Sequence, residues 1–514
     1  MIRTRFAPSP TGYLHIGGVR TALFNWLLTK RHSGTFVLRI EDTDSERNKP
    51  EALQPILDGF RWLGIQWDEG PEANGPYEPY YQSQRFERYQ EAAMRMLAEG
   101  HAYPDYMTKD QLDADRKAAD LAKKPYVHRG PHRDTPAAEC VRLYNASRAA
   151  LRLKVPVGRS VVIDDVIRGR VEVQTDIIGD PVIMRGEGRP LYNFAAVVDD
   201  VAMKITHVIR AAEHLSNTPT QVLIYEALHY AKPIFAHVPV VNEPGSKKKL
   251  SKRDMKKFVT AEIKAKLRAV GYTDEQIESR DDLNPATVAF YQELGYLPAA
   301  VVNYLARLGW SLDDKTEKID LADLIANFSL ERVNSAPASF DPDKLYWLAG
   351  EYMKELPAKE KQLGCLPFLQ RAGLIGSTPS GEETQKLSAI IEACGDRLKL
   401  FSDILTYGSP FFRADPVYDA KAVEKRLKKS GAGDLLRAFV VEVAKTESWD
   451  AANLDKCLHA FCGSRNIKPG ELVHPVRVAV TGVEVGVGLF DTLAILGRDE
   501  ALRRMELAKR ISGI

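Results

Sequence analysis

Cysteine is scarce in this chain: 5 in 514 residues, an odd number. So few thiols do not make a disulfide framework, and the composition reads as that of a protein of a reducing cytoplasm. Long apolar runs are missing as well. None approaches the ~18 residues of a membrane span, so no transmembrane helix is expected. Met1-Ile2-Arg3-Thr4-Arg5 is not followed by the apolar stretch of a signal peptide. Nor is there an excess of one charge. The 71 Lys and Arg stand against 69 Asp and Glu, a net charge of +2, so the total neither indicates nor excludes a nucleic-acid partner. The stretch before Cys140 holds no cysteine, so His128 and His132 do not predict a four-ligand zinc site. They read as surface or phosphate-contact histidines.

What is present is the mixture of a globular protein, with 44% hydrophobic and 27% charged residues. The length exceeds a single core, and two to four domains are expected. Ile2-Arg3-Thr4-Arg5-Phe6 alternates as a half-buried strand does. Val19 to Leu28 has helical spacing. Between them lies Ser9-Pro10-Thr11-Gly12-Tyr13-Leu14-His15-Ile16-Gly17-Gly18, a strand-to-helix turn rich in Pro and Gly, with a histidine at the helix entry. The free N–H groups of such an entry are an anion site. Thr35–Ile40 is a second strand, completing a β-α-β unit and predicting a parallel sheet with a right-handed crossover. It runs into Glu41-Asp42-Thr43-Asp44. Ligands of open parallel sheets bind beyond the carboxyl ends of the strands, so His15 and Glu41 are expected to face one crevice. Asp42 and Asp44 read equally well as caps of the helix opening at Pro50.

Residues 81–191 read as an insert. Helices are predicted over Arg85–Leu97 and Lys109–Ala122, and strands over Ala150–Val155 and Ser160–Val173, the last turning at Arg168-Gly169-Arg170. Ile205–Arg210 is a buried strand ending in a charge, followed by Glu213 and a helix over Thr220–His229. This is the second half of the sheet and brings Arg210 and Glu213 to the same crevice. An ion pair to a nearby acid is the alternative reading of Arg210. After the short strand Ala236–Val241, seven of the twelve residues from Ser246 to Lys257 are basic. At that place, flexible ammonium groups can reach a polyphosphate.

His15-Ile16-Gly17-Gly18 and Lys249-Leu250-Ser251-Lys252-Arg253 stand in the order of the two signatures of class I aminoacyl-tRNA synthetases, which this chain resembles. Arg5-Phe6-Ala7-Pro8-Ser9-Pro10-Thr11-Gly12, Arg39-Ile40-Glu41-Asp42-Thr43-Asp44, Val197-Val198-Asp199-Asp200 and Pro475–Gly482 are similar to bacterial glutamyl-tRNA synthetases. The resemblance runs from residue 2 to about 507. It implies a Rossmann-like parallel-sheet catalytic domain (1–80 and 192–245), with an inserted α+β domain for the acceptor end (81–191). A lysine-signature loop with a helical stem-contact domain (246–357) would follow, then two helical anticodon-binding subdomains (358–409 and 410–514).

The implied activity is attachment of L-glutamate to tRNA(Glu) through a glutamyl-adenylate, by an enzyme that is a cytoplasmic monomer. The implied alternative is an enzyme that also charges tRNA(Gln). The resemblance places glutamate on Arg5, Ser9, Glu41, Tyr192, Asn193 and Arg210. It places ATP, with Mg²⁺, on His15, Gly17, Gly18, Glu213, Val241, Lys249 and Lys252. His15, Lys249 and Lys252 would stabilise the phosphates in the transition state, and Arg397 would read the third anticodon base. Relatives that bind zinc carry a Cys-x-Cys pair where this chain has Tyr103-Pro104-Asp105-Tyr106, so zinc is not expected. About thirty residues, 254–285, are additional to the pattern. Val259–Val270, Gly271 as a stop and Thr273-Asp274-Glu275-Gln276 as a capping box predict a helical pair there. A surface decoration is the plain reading, and a contact to tRNA or a brake on the lysine loop is the sharper one.

Overall fold

Arg3–Phe6 forms β1, and Thr35–Leu38 forms β2, paired with it in parallel from Arg3↔Thr35 to Phe6↔Leu38. The helix between them, α1, runs Ile16–Arg31 with its buried face on β1. The computed structural model describes residues 1–10, 12–43, 50–251 and 255–511. Thr11, Asp44, Lys252 and Arg253 lie outside the described residues. The chain divides into two compact units, the first made of Met1–Met255, Ala286–Ala289 and Val301–Asp341.

In the first unit, α2 (Leu53–Trp62), α3 (Phe86–Ala98), β3 (Ala102–Asp105), α4 (Lys109–Leu121) and α5 (Ala137–Ala146) precede a run of strands. These are β4 (Ala150–Leu153), β5 (Ser160–Asp165), β6 (Gly169–Gln174) and β7 (Val182–Met184). Then come α6 (Tyr192–Ala202), β8 (His207–Ala211), α7 (Thr218–Ala227), β9 (Ile234–Val238) and β10 (Val241–Asn242). β3, β4 and β7 make a small antiparallel sheet. A second sheet has the order β6-β5-β9-β8, parallel except at the β5–β6 hairpin. The expected all-parallel sheet is therefore mixed. Thr206, at the entry of β8, donates its N–H to Arg3 O at 3.0 Å, which ties β1 to that sheet.

The segment 81–191, expected as an insert, contributes this hairpin to the sheet that holds β8. Its α3 residues Tyr89, Ala93 and Met96 share one core with Phe194, Val208 and Val222. The reason lies in the pattern of β5: Val161, Ile163 and Asp165 are buried on one side, and that face is covered by α7.

The second unit holds Lys256–Pro285, Phe290–Ala300 and Pro342–Ile514. The helical pair predicted in 254–285 is present as α8 (Ala261–Val270) and α9 (Asp274–Ser279). Gly271 ends α8 at φ 112°, in the left-handed region. Both halves of the Thr273/Gln276 capping box are formed. The pair is not a surface decoration. Val270 belongs to the core with Met353, Phe368, Leu369 and Ile390, and Lys266 of α8 is ion-paired to Asp403 at 2.8 Å. A further helical core runs from Ala422 to Ala508 and includes Cys462, with Cys457 packed on it.

Candidate functional site

The carboxyl ends of β1, β2 and β8, the entry of α1 and the strand β10 surround a crevice of about 860 Å³, within the range of small-molecule sites. It brings together Arg5, Ser9, His15, Gly17, Gly18, Glu41, Tyr192, Arg210, Glu213, Val241 and Lys249. All were singled out in the sequence. Asn193 is not among the lining residues, and its amide oxygen accepts from Gln221 Nε2 at 3.1 Å. Lys252 is outside the described residues. Arg397 lies in the second unit, exposed, on a short 3-10 turn.

His15 is the N-cap of α1. Its Nδ1 accepts a 3.0 Å bond from Gly17 N–H. A Cβ at Gly17 would lie 3.2 Å from that nitrogen, so glycine lets the ring fold back over the helix entry. The turn is braced from far away. Ile16 N–H donates to Ala286 O at 2.9 Å, and Val288 N–H to Leu14 O at 3.1 Å.

A buried chain of alternating charges runs beneath the crevice. Asp200 accepts from Arg5 Nε at 3.1 Å and from Arg39 Nη1 at 2.7 Å. Arg39 Nη2 also donates to Glu41 at 3.2 Å. Asp199, beside them, accepts from Arg85 Nε at 2.6 Å and from Tyr89 Oη at 2.8 Å. Burial alone would raise the carboxyl of Asp200, but Arg5 and Arg39 outweigh it and hold it below the usual range. Burial wins at Glu41, whose carboxyl is raised despite Arg39 and Arg5. The chain explains how three arginines are kept in an apolar interior: Arg5, Arg39 and Arg85 are balanced by Asp200, Asp199 and Glu41. Asp199 and Asp200 had no role assigned from the sequence. Their place in an otherwise apolar helix was the available signal.

Arg210 stands apart from this chain. It is 6% exposed, and its partners are neutral: His237 Nε2 at 3.1 Å, Thr218 Oγ1 at 2.8 Å and Tyr192 Oη at 3.4 Å. The ion pair considered for it is not formed with any described residue. Burial lowers its basicity. Burial, and then Arg210 itself, push the imidazole of His214 down to about 4, so His214 is neutral at the crevice wall. Lys249 is ion-paired to Glu213.

Tyr103–Tyr106, where the resemblance placed no zinc ligands, is built into a polar cluster. Asp105 pairs with Arg152, and His128 Nε2 lies 3.2 Å from its carboxylate without forming a hydrogen bond. Tyr103 Oη donates to Asp180 at 2.9 Å. His128, expected at the surface, is 6% exposed; its Nδ1 is hydrogen-bonded with Tyr126 Oη at 2.9 Å, and burial lowers its basicity. Elsewhere Glu99, His101 and His229 lie within 4.8 Å of one another, but Arg95 shares the Glu99 carboxylate at 3.4 Å.

No helix among the described residues is long and apolar enough to cross a membrane. A family model described as tRNA synthetases class I (E and Q), catalytic domain, matches residues 1–277 and 268–347. One described as anticodon binding domain matches residues 331–509. The chain is 41% identical over 512 residues to a glutamate–tRNA ligase of Anaeromyxobacter sp. (strain Fw109-5), covering 99% of each. It is 40% identical over 510 residues to the glutamate–tRNA ligase of Moorella thermoacetica, covering 99% of this chain and 98% of that protein. Residues 254–285 therefore do not distinguish it in length from these relatives. A crystal structure of a glutamate tRNA ligase from Elizabethkingia meningosepticum in complex with its amino acid superposes with a TM-score of 0.84 at 31% identity, covering 99% of each chain. Signatures, crevice and full-length matches agree: this chain belongs to the glutamate–tRNA ligases among the class I tRNA synthetases.

Proposed function

We propose that this chain attaches L-glutamate to tRNA(Glu) in two steps, and that the crevice is where both occur. One observation carries the reading. Arg210 is a buried cation whose described partners are all neutral, and the side-chain carboxylate of glutamate supplies the missing anion. A glutamine amide would leave the buried charge uncompensated, the kind of mismatch that discriminates strongly. Glu41 receives the α-ammonium, and Arg5, Ser9 and Tyr192 complete the amino-acid subsite. Asn193 accepts from Gln221 through its amide oxygen and keeps its Nδ2–H donors for the ligand.

ATP lies over the His15–Gly18 turn, with Glu213 toward the ribose and Val241 toward the base. An oxygen of the glutamate α-carboxylate bonds to the α-phosphorus, the bond to the bridging oxygen breaks, and pyrophosphate leaves. The 2′-OH of the terminal adenosine then attacks the acyl carbon and AMP departs. No protein nucleophile is required. The chain positions the reactants and stabilises charge through the helix entry, His15, Lys249 and Lys252. The carboxylates of the crevice are engaged with Arg39 and Lys249, a donor set that fits Mg²⁺ held chiefly by the ATP phosphates. Such an ion neutralises phosphate charge.

The segments 1–80 and 192–245 form the catalytic part of this reading, and 81–191 receives the acceptor end. The lysine loop and stem-contact part is 246–357, while 358–409 and 410–514 read the anticodon. The test is ATP–pyrophosphate exchange with glutamate or glutamine, with and without purified tRNA(Glu) and tRNA(Gln). Exchange driven by glutamate in the presence of tRNA(Glu) is expected. Exchange driven by glutamine would overturn the reading.

A further inference from the structure

Beneath the crevice, three side chains from three strands form a line, and two of them, Asp165 and His237, have no assigned role. Asp165 ends β5, His237 sits in β9 and Arg210 in β8; their exposures are 3%, 0% and 6%. Asp165 Oδ2 is 2.6 Å from His237 Nδ1, and His237 Nε2 is 3.1 Å from Arg210 Nε. An arginine Nε–H can only donate, so His237 Nε2 must present its lone pair. The proton is therefore on Nδ1, where the carboxylate of Asp165 accepts it.

Asp165 is itself fixed. Its Oδ1 accepts the backbone N–H groups of Ile167 at 3.0 Å and Arg168 at 2.8 Å, in the hairpin turn. Its Oδ2 faces the imidazole, and the backbone N–H of His237 is shared between Oδ1 at 3.2 Å and Oδ2 at 3.1 Å. We propose that Asp165 and His237 are positioning residues for glutamate recognition: the hairpin carboxylate sets the tautomer of His237, and His237 holds the Arg210 guanidinium with Nη1 toward Tyr192 and the crevice. This rests on the reading of Arg210 as the receptor of the substrate carboxylate.

The relay explains why a cation is kept in a buried place without an acid beside it. A carboxylate in direct contact with Arg210 would compete with the substrate. A neutral imidazole orients the guanidinium and leaves its charge for the ligand. Burial lowers the basicity of His237 in spite of Asp165, which agrees with the neutral ring.

Asp165→Asn tests the arrangement. The backbone N–H groups of Ile167, Arg168 and His237 hold the amide oxygen at the Oδ1 position, so the NH₂ group takes the place of Oδ2 and donates to His237 Nδ1. The ring must then carry its proton on Nε2, against the Nε–H of Arg210. In aminoacylation by the full chain at saturating ATP and tRNA(Glu), the KM for glutamate should rise about tenfold or more, with the KM for ATP within about twofold. His237→Gln keeps an acceptor near Nε2 and should raise the KM for glutamate several-fold less than His237→Leu does. This comparison decides the matter if Asp165→Asn does not fold. An unchanged glutamate KM in folded Asp165→Asn, equal shifts for glutamate and ATP, or equal effects of His237→Gln and His237→Leu would overturn the relay. Arg210→Met separates the two levels. If it raises the glutamate KM while Asp165→Asn does not, the relay alone fails; if it leaves that KM unchanged, the reading of Arg210 fails and the relay with it.

Discussion

Nδ1 of His15 accepts the N–H of Gly17 at 3.0 Å and so caps α1. With that nitrogen as acceptor, the neutral ring carries its proton on Nε2. One side chain thus combines a helix cap with a hydrogen-bond donor at the crevice wall. The two roles separate by substitution. His15→Asn retains a good cap, whereas His15→Ala loses about 1 kcal/mol of helix stability. Both should lower the rate of adenylate formation by ~10²–10³. Thermal unfolding and ATP–pyrophosphate exchange on the two variants check this, with tRNA affinity as the control. A fully active His15→Asn would make His15 a structural cap alone.

Lys249 and Glu213 pair across the mouth of the crevice, with side chains 57% and 45% exposed. Such a pair contributes about 0–1 kcal/mol to stability. Glu213→Gln should therefore melt within a few degrees of the parent and show its effect in the KM for ATP. Lys249→Met should lower kcat for the first step. A large stability loss in either variant would contradict the exposed geometry.

Glu41 gives a pH dependence. Burial raises its carboxyl above the ordinary 4.5 despite Arg39 and Arg5. An acid with a raised pKa protonates at a higher pH than usual, and protonation removes the anion proposed to receive the α-ammonium. The KM for glutamate should rise as the pH falls, with the acid limb centred above 4.5. Glu41→Gln should have a high glutamate KM and lack this limb. The measurement is the glutamate KM against pH for both proteins.

Asp403 accepts the backbone N–H groups of Lys399 at 3.1 Å and Leu400 at 2.9 Å, and pairs with Lys266 of α8. It is 2% exposed. Asp403→Ala leaves Lys266 without its carboxylate, with only Tyr346 Oη at 3.4 Å as a remaining hydrogen-bond partner among the described residues, and should cost about 3 kcal/mol, read by denaturant unfolding. Burial would lower the basicity of Lys266, but Asp403 outweighs it and raises it. The linked stabilisation is therefore fully present at neutral pH and fades only as the pH rises through that raised value. A neutral Asp403→Ala would mean that α8 is not anchored through this pair.

Much of the molecule was legible because the deciding interactions are local. The capping box at Thr273 and Gln276 spans three residues, and the stop at Gly271 depends on one backbone angle. The crevice residues at strand ends were found because each strand ended in a charge or a Gly-rich turn. The place of α8 was not legible. Its helical spacing predicted the helix but not that Val270 enters a core with Phe368 and Ile390. Likewise, nothing near His128 in sequence announced that it would be buried beside Asp105.

By itself the sequence determined the order of the elements, the two signatures and most of the crevice, since periodicity, caps and turn chemistry act over a few residues. Only the tertiary structure decided how the charges are arranged. Asp200 lies 195 residues from Arg5, and His237 lies 72 from Asp165. A buried ion is tolerated only beside its partner, and which residues become partners is settled when the strands pack. Arg210 is the instructive case. The sequence placed it at the end of a strand, and packing gave it neutral neighbours, the observation on which its proposed role toward the substrate rests.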